Sequence, residues 1–341
     1  MSNKEKKCKY TSIGGQAVIE GVMMNGPERT VLAVRKNTGE IVTEDVKKPN
    51  YKAICPIFKI PVIRGVVAYI ESMVMGYSTL MRSADLSGMT ELDELQPDEK
   101  TQEQENIEND GSDKTNKLSD TVMSVIMIVA SVIGVMLALF LFMFIPTVIF
   151  NYFDGLTNSL LSNSNLRGLI EGVMKLMIFV VYVLLVSQMK DIKRLFQYHG
   201  AEHKTIFCYE AKLDLTVENV RKQKRFHPRC GTSFLFLMIA VSIILTTLVA
   251  FFFPQFTKMT IIWVIIKILL IPIFCGVGYE LLKICGRYDN VFTKIIAAPG
   301  LWIQRLTTKE PDDDMIEVAI KSMVEVIPEN AEKTADCCKA E

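Results

Sequence analysis

Four long apolar segments constrain this 341-residue chain more than any other feature of its sequence. About 20 helical residues cross the ~30 Å hydrocarbon layer of a bilayer, and each segment is long enough to do so. Their cores lie near residues 121–147, 170–189, 233–253 and 261–284. We therefore predict an α-helical multi-pass membrane protein with about four transmembrane helices.

A region with a different pattern precedes the spans. Residues 30–35 and 41–46 are β-prone runs on either side of a turn that contains Gly39, which predicts a β-hairpin. Residues 14–24 predict one further strand. Residues 61–82 carry apolar side chains at helical spacing, so we predict an amphipathic helix that lies on the membrane or docks against the spans.

These patterns divide the chain into six parts. The long acidic run around residues 91–113 has little that could form a core, so it is interpreted as a disordered linker. The predicted parts are an N-terminal cytoplasmic α+β region (1–87), the acidic linker (88–118), spans one and two (119–190), a basic His/Cys loop (191–231), spans three and four (232–286), and a C-terminal segment with a short helix and a flexible tail (287–341).

The distribution of basic residues predicts the orientation of the spans. Residues 190–230 hold ten Lys and Arg, whereas 151–168 hold only Arg167 and 254–260 only Lys258. Because short loops rich in Lys and Arg stay in the cytoplasm, both termini and the His/Cys loop are predicted there. The expected partners are the bilayer and its anionic lipid head groups, which would meet a basic cluster formed by Arg221, Lys222, Lys224, Arg225 and Arg229.

The overall charge argues against one class of partner. The chain carries 38 basic and 38 acidic residues, so its formal net charge is zero. We expect no specific nucleic-acid partner, because such proteins usually carry a strongly basic surface.

All three histidines of the chain lie between positions 199 and 227. His199, Glu202 and His203 form an H-x-x-E-H pattern, which on a helix puts both imidazoles and the carboxylate close together. His227 and Cys230 follow as H-x-x-C. Imidazole and thiolate are typical zinc ligands, so His199, His203, His227 and Cys230 are predicted to bind a divalent metal ion such as zinc.

A catalytic role follows if one coordination position stays open for water. Glu202 would then accept a proton from the attacking water, and Arg229 would stabilise the developing negative charge. The spacing matches the inverted zincin signature, but no downstream helix with a carboxylate ligand is identifiable. Further candidate ligands are Cys208, Glu210 and Glu280. If four ligands bind together, the site is closed and structural, and each histidine alone also suits an ordinary helix end.

Four separated runs resemble the YqhQ-like family of bacterial membrane proteins. They are residues 14–24 (GGQAVIEGVMM), 198–204 (YHGAEHK), 227–234 (HPRCGTSF) and 310–313 (EPDD). The family is described as a domain of unknown function and a predicted metal-dependent enzyme. The resemblance therefore implies a bacterial plasma-membrane location and metal binding through the His/Cys cluster, without supplying a substrate.

Three functions remain open at this point. The first is a metal-dependent hydrolase that acts at the cytoplasmic face on a lipid-linked, phosphorylated or peptide substrate. The alternative is a non-catalytic membrane component of a translocation, transport or membrane-biogenesis complex, with any metal structural. A third is a carrier that uses Glu280 and Pro272 of the fourth span.

Overall fold

The computed structural model describes most of the chain outside the acidic linker and the termini. The described residues form a mostly helical structure with one small antiparallel sheet and fall into two compact units. They are residues 13–48, 51, 56–88, 129–156, 167–227, 230–287 and 290–328. The first unit takes its residues from 1–93, 180–245 and 270–341, and the second from 94–179 and 246–269. The predicted linker from residue 89 onward, the C-terminal tail and Arg229 lie outside the described residues.

A four-stranded sheet lies in the first unit. Its strands are β1 (Gly14–Val18), β2 (Gly21–Asn25), β3 (Thr30–Arg35) and β4 (Ile41–Asp45), paired antiparallel in chain order. The predicted hairpin is thus present as β3 and β4. The prediction of one strand over residues 14–24 was wrong, because the chain turns back at Ile19 and Glu20. That turn contains no glycine, asparagine or proline, and Glu20 itself takes a positive φ of 50°.

Both faces of the sheet are covered by helices. Helix α1 (Ile63–Ser87) contributes Met75, Leu80 and Leu86 to the core on one face. Helices α4 (Lys190–Glu210) and α11 (Asp313–Val326) pack on the other face. Successive strand residues therefore point into two different cores, which explains why β3 is an unbroken apolar run.

Helix α1 docks against α9 (Ile271–Arg287), whose sequence belongs to the fourth predicted span. The helices touch where a Cβ atom on Gly65 would lie 2.9 Å from the Cα of Gly276. The guanidinium of Arg64 donates to both carboxylate oxygens of Glu280 at 2.7 and 2.6 Å. The predicted helix is present and longer than 61–82 at its C-terminal end. Glu280, the residue on which the carrier hypothesis rests, is an ion-pair partner of α1.

Three described helices are long and apolar enough to cross a membrane, and a bent pair gives a fourth candidate span. The three are α2 (Val129–Leu156), α3 (Arg167–Val186) and residues Phe234–Phe252 of α6 (Gly231–Phe252). The bent pair is α8 (Thr260–Leu269) and the apolar part of α9, which meet at 42°. Within α2, residues 140–144 form a π-helical turn just before Pro146, since proline cannot donate the helical hydrogen bond.

The segment between the second and third spans is more ordered than the predicted loop. It begins with the 21-residue helix α4 and continues with the short helix α5 (Val217–Arg221). After the short helix α7 (Pro254–Thr257) and the fourth candidate span, the chain forms α10 (Val291–Thr307) and then α11. Helix α11 begins after Asp312, as the acidic run Asp312–Asp314 predicts.

Candidate metal centre

Helix α4 carries His199, Glu202 and His203 on its inner side. One turn of the helix separates the two imidazoles, whose ring centroids lie 4.4 Å apart. The helix approaches the chain after α10 so closely that a Cβ atom on Gly200 would lie 2.0 Å from the carbonyl oxygen of Lys309. Glycine at this position therefore sets the distance between α4 and the C-terminal part of the first unit.

Cys230 meets the two histidines directly before α6. The Nε2 atom of His199 lies 3.1 Å from Sγ of Cys230. One ligand atom from each of His199, His203 and Cys230 lies within 4.8 Å of the other two. Tetrahedral zinc bound by nitrogen and sulfur holds its ligand atoms about 3.3–3.6 Å apart. A small inward movement of these three side chains would therefore place them around one metal ion.

The second ring nitrogen of each histidine is held by a backbone carbonyl. Nδ1 of His199 is 2.8 Å from the carbonyl oxygen of Thr307, and Nδ1 of His203 contacts that of Arg225. A carbonyl only accepts, so both Nδ1 atoms carry hydrogen, and Nε2 is the atom of each ring that would bind a metal once it carries no proton. The buried Nε2 of His203 has no hydrogen-bond partner among the described residues. Histidines that bind metals show this arrangement of their two nitrogens.

The ionisation of the three candidate ligands is strongly coupled. Burial alone would raise the pKa of Cys230, but the imidazoles of His199 and His203 outweigh it and hold this pKa well below its ordinary value. Burial alone would lower the pKa of His199, but the charge of Cys230 and its hydrogen bond raise this pKa to about 9. The lowered pKa favours the thiolate form of Cys230, which is the form that binds metals.

Glu202 lies beside this group and against strand β1. A Cβ atom on Gly15 would come within 2.8–2.9 Å of the Glu202 side chain, so glycine makes room for the carboxylate. Burial raises the pKa of Glu202, and the two histidines oppose only part of this rise. Its Oε2 atom is buried and has no hydrogen-bond partner among the described residues. Glu202 and His203 line a cavity of about 200 Å³.

His227 does not join the group, although the sequence predicted it as a ligand. Its Nε2 lies 3.5 Å from Oε2 of Glu210, and its ring centroid is 5.8 Å from that of His203. The cause is the side chain of Gln304, which accepts from the backbone nitrogen of His227 at 2.8 Å and donates to its carbonyl at 2.7 Å. This clamp keeps His227 at the wall of the cavity, next to Glu210.

The remaining predicted residues lie elsewhere or are paired. Cys208 is buried in the apolar core between α4 and the sheet. Within the basic cluster, Arg221 pairs with Asp313, and Arg225 pairs with Glu310 at 3.3 Å. Both acidic partners belong to the EPDD run. Lys222 pairs with Glu218 at 2.7 Å, so ion pairs inside the protein use three of the five basic side chains that were expected to face lipid head groups.

Comparison with known proteins assigns the chain to a family. Residues 60–329 match the family described as "Protein of unknown function (DUF1385)". The chain is 36% identical over 316 residues to the "Uncharacterized protein YqhQ" of Bacillus subtilis (strain 168), and the alignment covers 92% of each chain. The chain belongs to the DUF1385 family. No solved structure matches it.

The DUF1385 match covers both histidine motifs, Cys230 and the EPDD run. It begins after the four strands, so Gly15 lies outside the matched residues. The sequence offered no signal for the other supporting groups. Thr307 and Arg225 act on the site through their backbone carbonyls, and Gln304 acts through its side-chain amide. Neither kind of contact leaves a recognisable spacing in the sequence.

Proposed function

We propose that this DUF1385 protein is a metal-dependent hydrolase of the bacterial plasma membrane whose site faces the cytoplasm. One observation carries the proposal. His199, His203 and Cys230 converge, and both histidines are oriented through Nδ1 by backbone carbonyls. Such orientation of two imidazoles beside a thiol whose pKa is lowered fits a zinc-class divalent cation better than it fits an ordinary buried hydrogen-bond network.

The number of converging ligands favours catalysis over a closed structural site. Three side chains form the group among the described residues, whereas structural zinc sites hold four. When bound, a zinc-class cation supplies Lewis acidity, which lowers the pKa of water to about 7 and polarises a carbonyl or phosphoryl oxygen. The clamp of Gln304 on His227 supports this view because it keeps the expected fourth ligand beside Glu210.

Glu202 is the residue that would move the proton. Its carboxylate lies in the cavity wall one position before His203, and Oε2 points to no described partner. A buried carboxylate of raised pKa suits a general base that works near neutral pH. Ile13 and Ile206 line the same cavity and would exclude bulk water from the reacting bond. A cavity of about 200 Å³ admits a single scissile group, such as a peptide or phosphate ester, rather than a whole lipid.

The placement at the cytoplasmic face is supported by charge and sequence. The ten Lys and Arg between residues 190 and 230 flank the site, and positive charge of this kind is retained on the cytoplasmic side. With an even number of four spans, both termini lie on that side as well. The substrate classes that suit such a location are lipid-linked, phosphorylated or peptide molecules at the inner leaflet.

The first test is the metal content of the purified full-length protein. We expect about one zinc-class ion per chain by inductively coupled plasma mass spectrometry. His199→Ala combined with His203→Ala should remove it, and so should Cys230→Ser. Cys285→Ser is the matched control, because this thiol lies in α9 outside the group. Purified protein without metal, or unchanged metal content in the double variant, contradicts the proposal.

The second test separates catalysis from a structural metal. Glu202→Gln should keep the metal and lower the hydrolysis of peptide or phosphoester reporter substrates by about 10²–10⁴-fold. If Glu202→Gln retains full function in cells and in these assays, the non-catalytic alternative with a structural metal is the correct one.

A further inference from the structure

Helix α10 carries a line of large apolar side chains on its outer side. Val291, Ile295 and Trp302 are spaced four and seven residues apart, so they lie along one side of the helix. Their exposed fractions are 74%, 65% and 67%. Side chains of the candidate span α2 are exposed to a similar extent, at 63% for Met136 and 61% for Leu137. The outer side of α10 thus exposes apolar side chains as fully as a candidate span does.

Helix α11 of the same unit has a different outer side. Its exposed positions 317, 321 and 324 follow the same helical spacing and hold glutamate, lysine and valine. A single apolar residue among charged ones is ordinary for a surface in water. On α10 the corresponding positions 291, 295, 298 and 302 hold valine, isoleucine, alanine and tryptophan. An exposed line of this kind indicates a surface that contacts a partner.

The inner side of α10 supports the candidate metal centre. Its buried residues Gln304 and Thr307 clamp the backbone of His227 and bind Nδ1 of His199. Gln304 follows Trp302 by two residues and therefore lies about 200° around the helix from it. An α-helix with its side chains is about 10–12 Å across. Only this thickness separates the apolar line from the residues that support the candidate metal centre.

The chain places α10 directly after a candidate span. Helix α9, whose residues up to Cys285 belong to the fourth candidate span, ends at Arg287, and α10 begins at Val291. Four residues reach at most about 14 Å, so the start of α10 cannot lie farther than this from the end of α9. Asn290 fixes that start, because its side chain accepts from the backbone nitrogen of Thr293 at 2.8 Å. A bilayer that surrounds α9 would therefore end within reach of the first turn of α10.

We propose that the outer side of α10 lies in the head-group region of the lipid bilayer, along the surface at which α9 ends. The partner is lipid because the apolar line begins next to the span and continues to Trp302, about 16 Å along the helix. Tryptophan is enriched at this depth, where its ring meets apolar groups and its nitrogen meets polar ones. Arg305 is exposed three residues beyond Trp302 and can extend to lipid phosphates. The inference rests on the proposed membrane location of the protein and is independent of hydrolysis.

The experiment measures the fluorescence of Trp302 in the full-length protein, reconstituted into vesicles of phosphatidylcholine and phosphatidylglycerol. The chain has two tryptophans, and Trp263 is fully buried, so the difference between wild type and Trp302→Phe gives the signal of Trp302. Lipids that carry bromine on the acyl chain near the glycerol should quench most of this signal. Acrylamide in the surrounding water should quench little of it, because the indole ring would be covered by lipid.

Two aspartate variants form a matched pair. Ile295→Asp puts a charge into the apolar line, so it should weaken the quenching of Trp302 by brominated lipid and strengthen the quenching by acrylamide. Val324→Asp adds the same charge to the exposed side of α11 and should change neither. A tryptophan control, Val324→Trp combined with Trp302→Phe, should respond to acrylamide alone.

Quenching of Trp302 by acrylamide alone overturns the proposal, since α10 would then face water. Resistance to both quenchers also overturns it, because a protein surface such as a second copy of the chain would then cover the helix. Flotation of the vesicles checks the membrane location separately. Protein that does not float with the vesicles refutes that location and the placement of α10 together, whereas floating protein with Trp302 in water refutes only the placement of α10.

Discussion

Replacement of Gly200 by alanine tests whether α4 and the C-terminal part of the first unit hold the metal centre together. An alanine Cβ would lie 2.0 Å from the carbonyl oxygen of Lys309, where ordinary contacts between nonbonded heavy atoms are about 3.5 Å. The helix and this backbone must therefore separate by about 1.5 Å. Thr307, which binds Nδ1 of His199, lies two residues before Lys309 and must move with it.

Two opposing terms set the size of the effect. Alanine in place of glycine stabilises a helix interior by about 1 kcal/mol. Overpacking against a backbone atom costs about 3 kcal/mol, the upper end of its usual range, because a carbonyl cannot rotate away as a side chain does. The net expectation is a loss of about 2 kcal/mol, or roughly 4–8 °C in melting temperature. Loss of the Thr307 contact should weaken metal binding by about 10–100-fold, as other changes in the outer sphere of metal sites do.

The assay combines thermal unfolding in detergent with a competitive zinc titration against a chelator. Gly155→Ala is the matched control, because this helical glycine has no atom within 4 Å of its Cβ position. The control should leave metal affinity unchanged and raise stability only through the higher helix propensity of alanine. If Gly200→Ala raises the melting temperature as the control does, with metal affinity within about threefold of wild type, the assignment of Gly200 and Thr307 to the site is wrong.

Two further predictions concern pH and helix docking. The raised pKa of His199 is about 9, so a proton must leave this imidazole when metal binds below that pH. The apparent affinity for zinc should therefore rise about tenfold per pH unit between about pH 6 and pH 8. An affinity that does not change with pH in zinc titrations would contradict this prediction. Gly276→Val should lower the melting temperature by several degrees, because its Cβ would lie 2.4 Å from the Val62 side chain, whereas Gly134→Val faces open space and should not.

Hydrophobic patterning was sufficient to predict the helices that leave a local signal in the sequence. The apolar runs and the spacing in residues 61–82 identified helices, because burial of a span or of one helix face leaves a repeated signal. The turn at Ile19 and Glu20 had no such signal. Its geometry depends on pairing with β3, since a Cβ atom on Gly21 would lie 2.3 Å from the carbonyl oxygen of Ala33.

The candidate site was predictable to the extent that its groups are close in sequence. The H-x-x-E-H spacing placed His199, Glu202 and His203 on one side of a helix, as the structure has them. The position of His227 depends on Gln304, which lies 77 residues away in the chain. No local pattern could show that this amide fixes the backbone before Cys230 and keeps His227 beside Glu210.

The candidate site is therefore a property of the whole first unit rather than of one motif. Two candidate ligands and the candidate base come from α4, and the third candidate ligand, Cys230, stands directly before α6. Gly15 of β1 makes room for the base, and Thr307 at the end of α10 orients His199. Because each contribution depends on a different contact across the unit, metal binding and folding of this unit should stabilise each other. The spacing of the histidines indicates metal binding, and contacts between residues distant in sequence determine whether the candidate ligands converge.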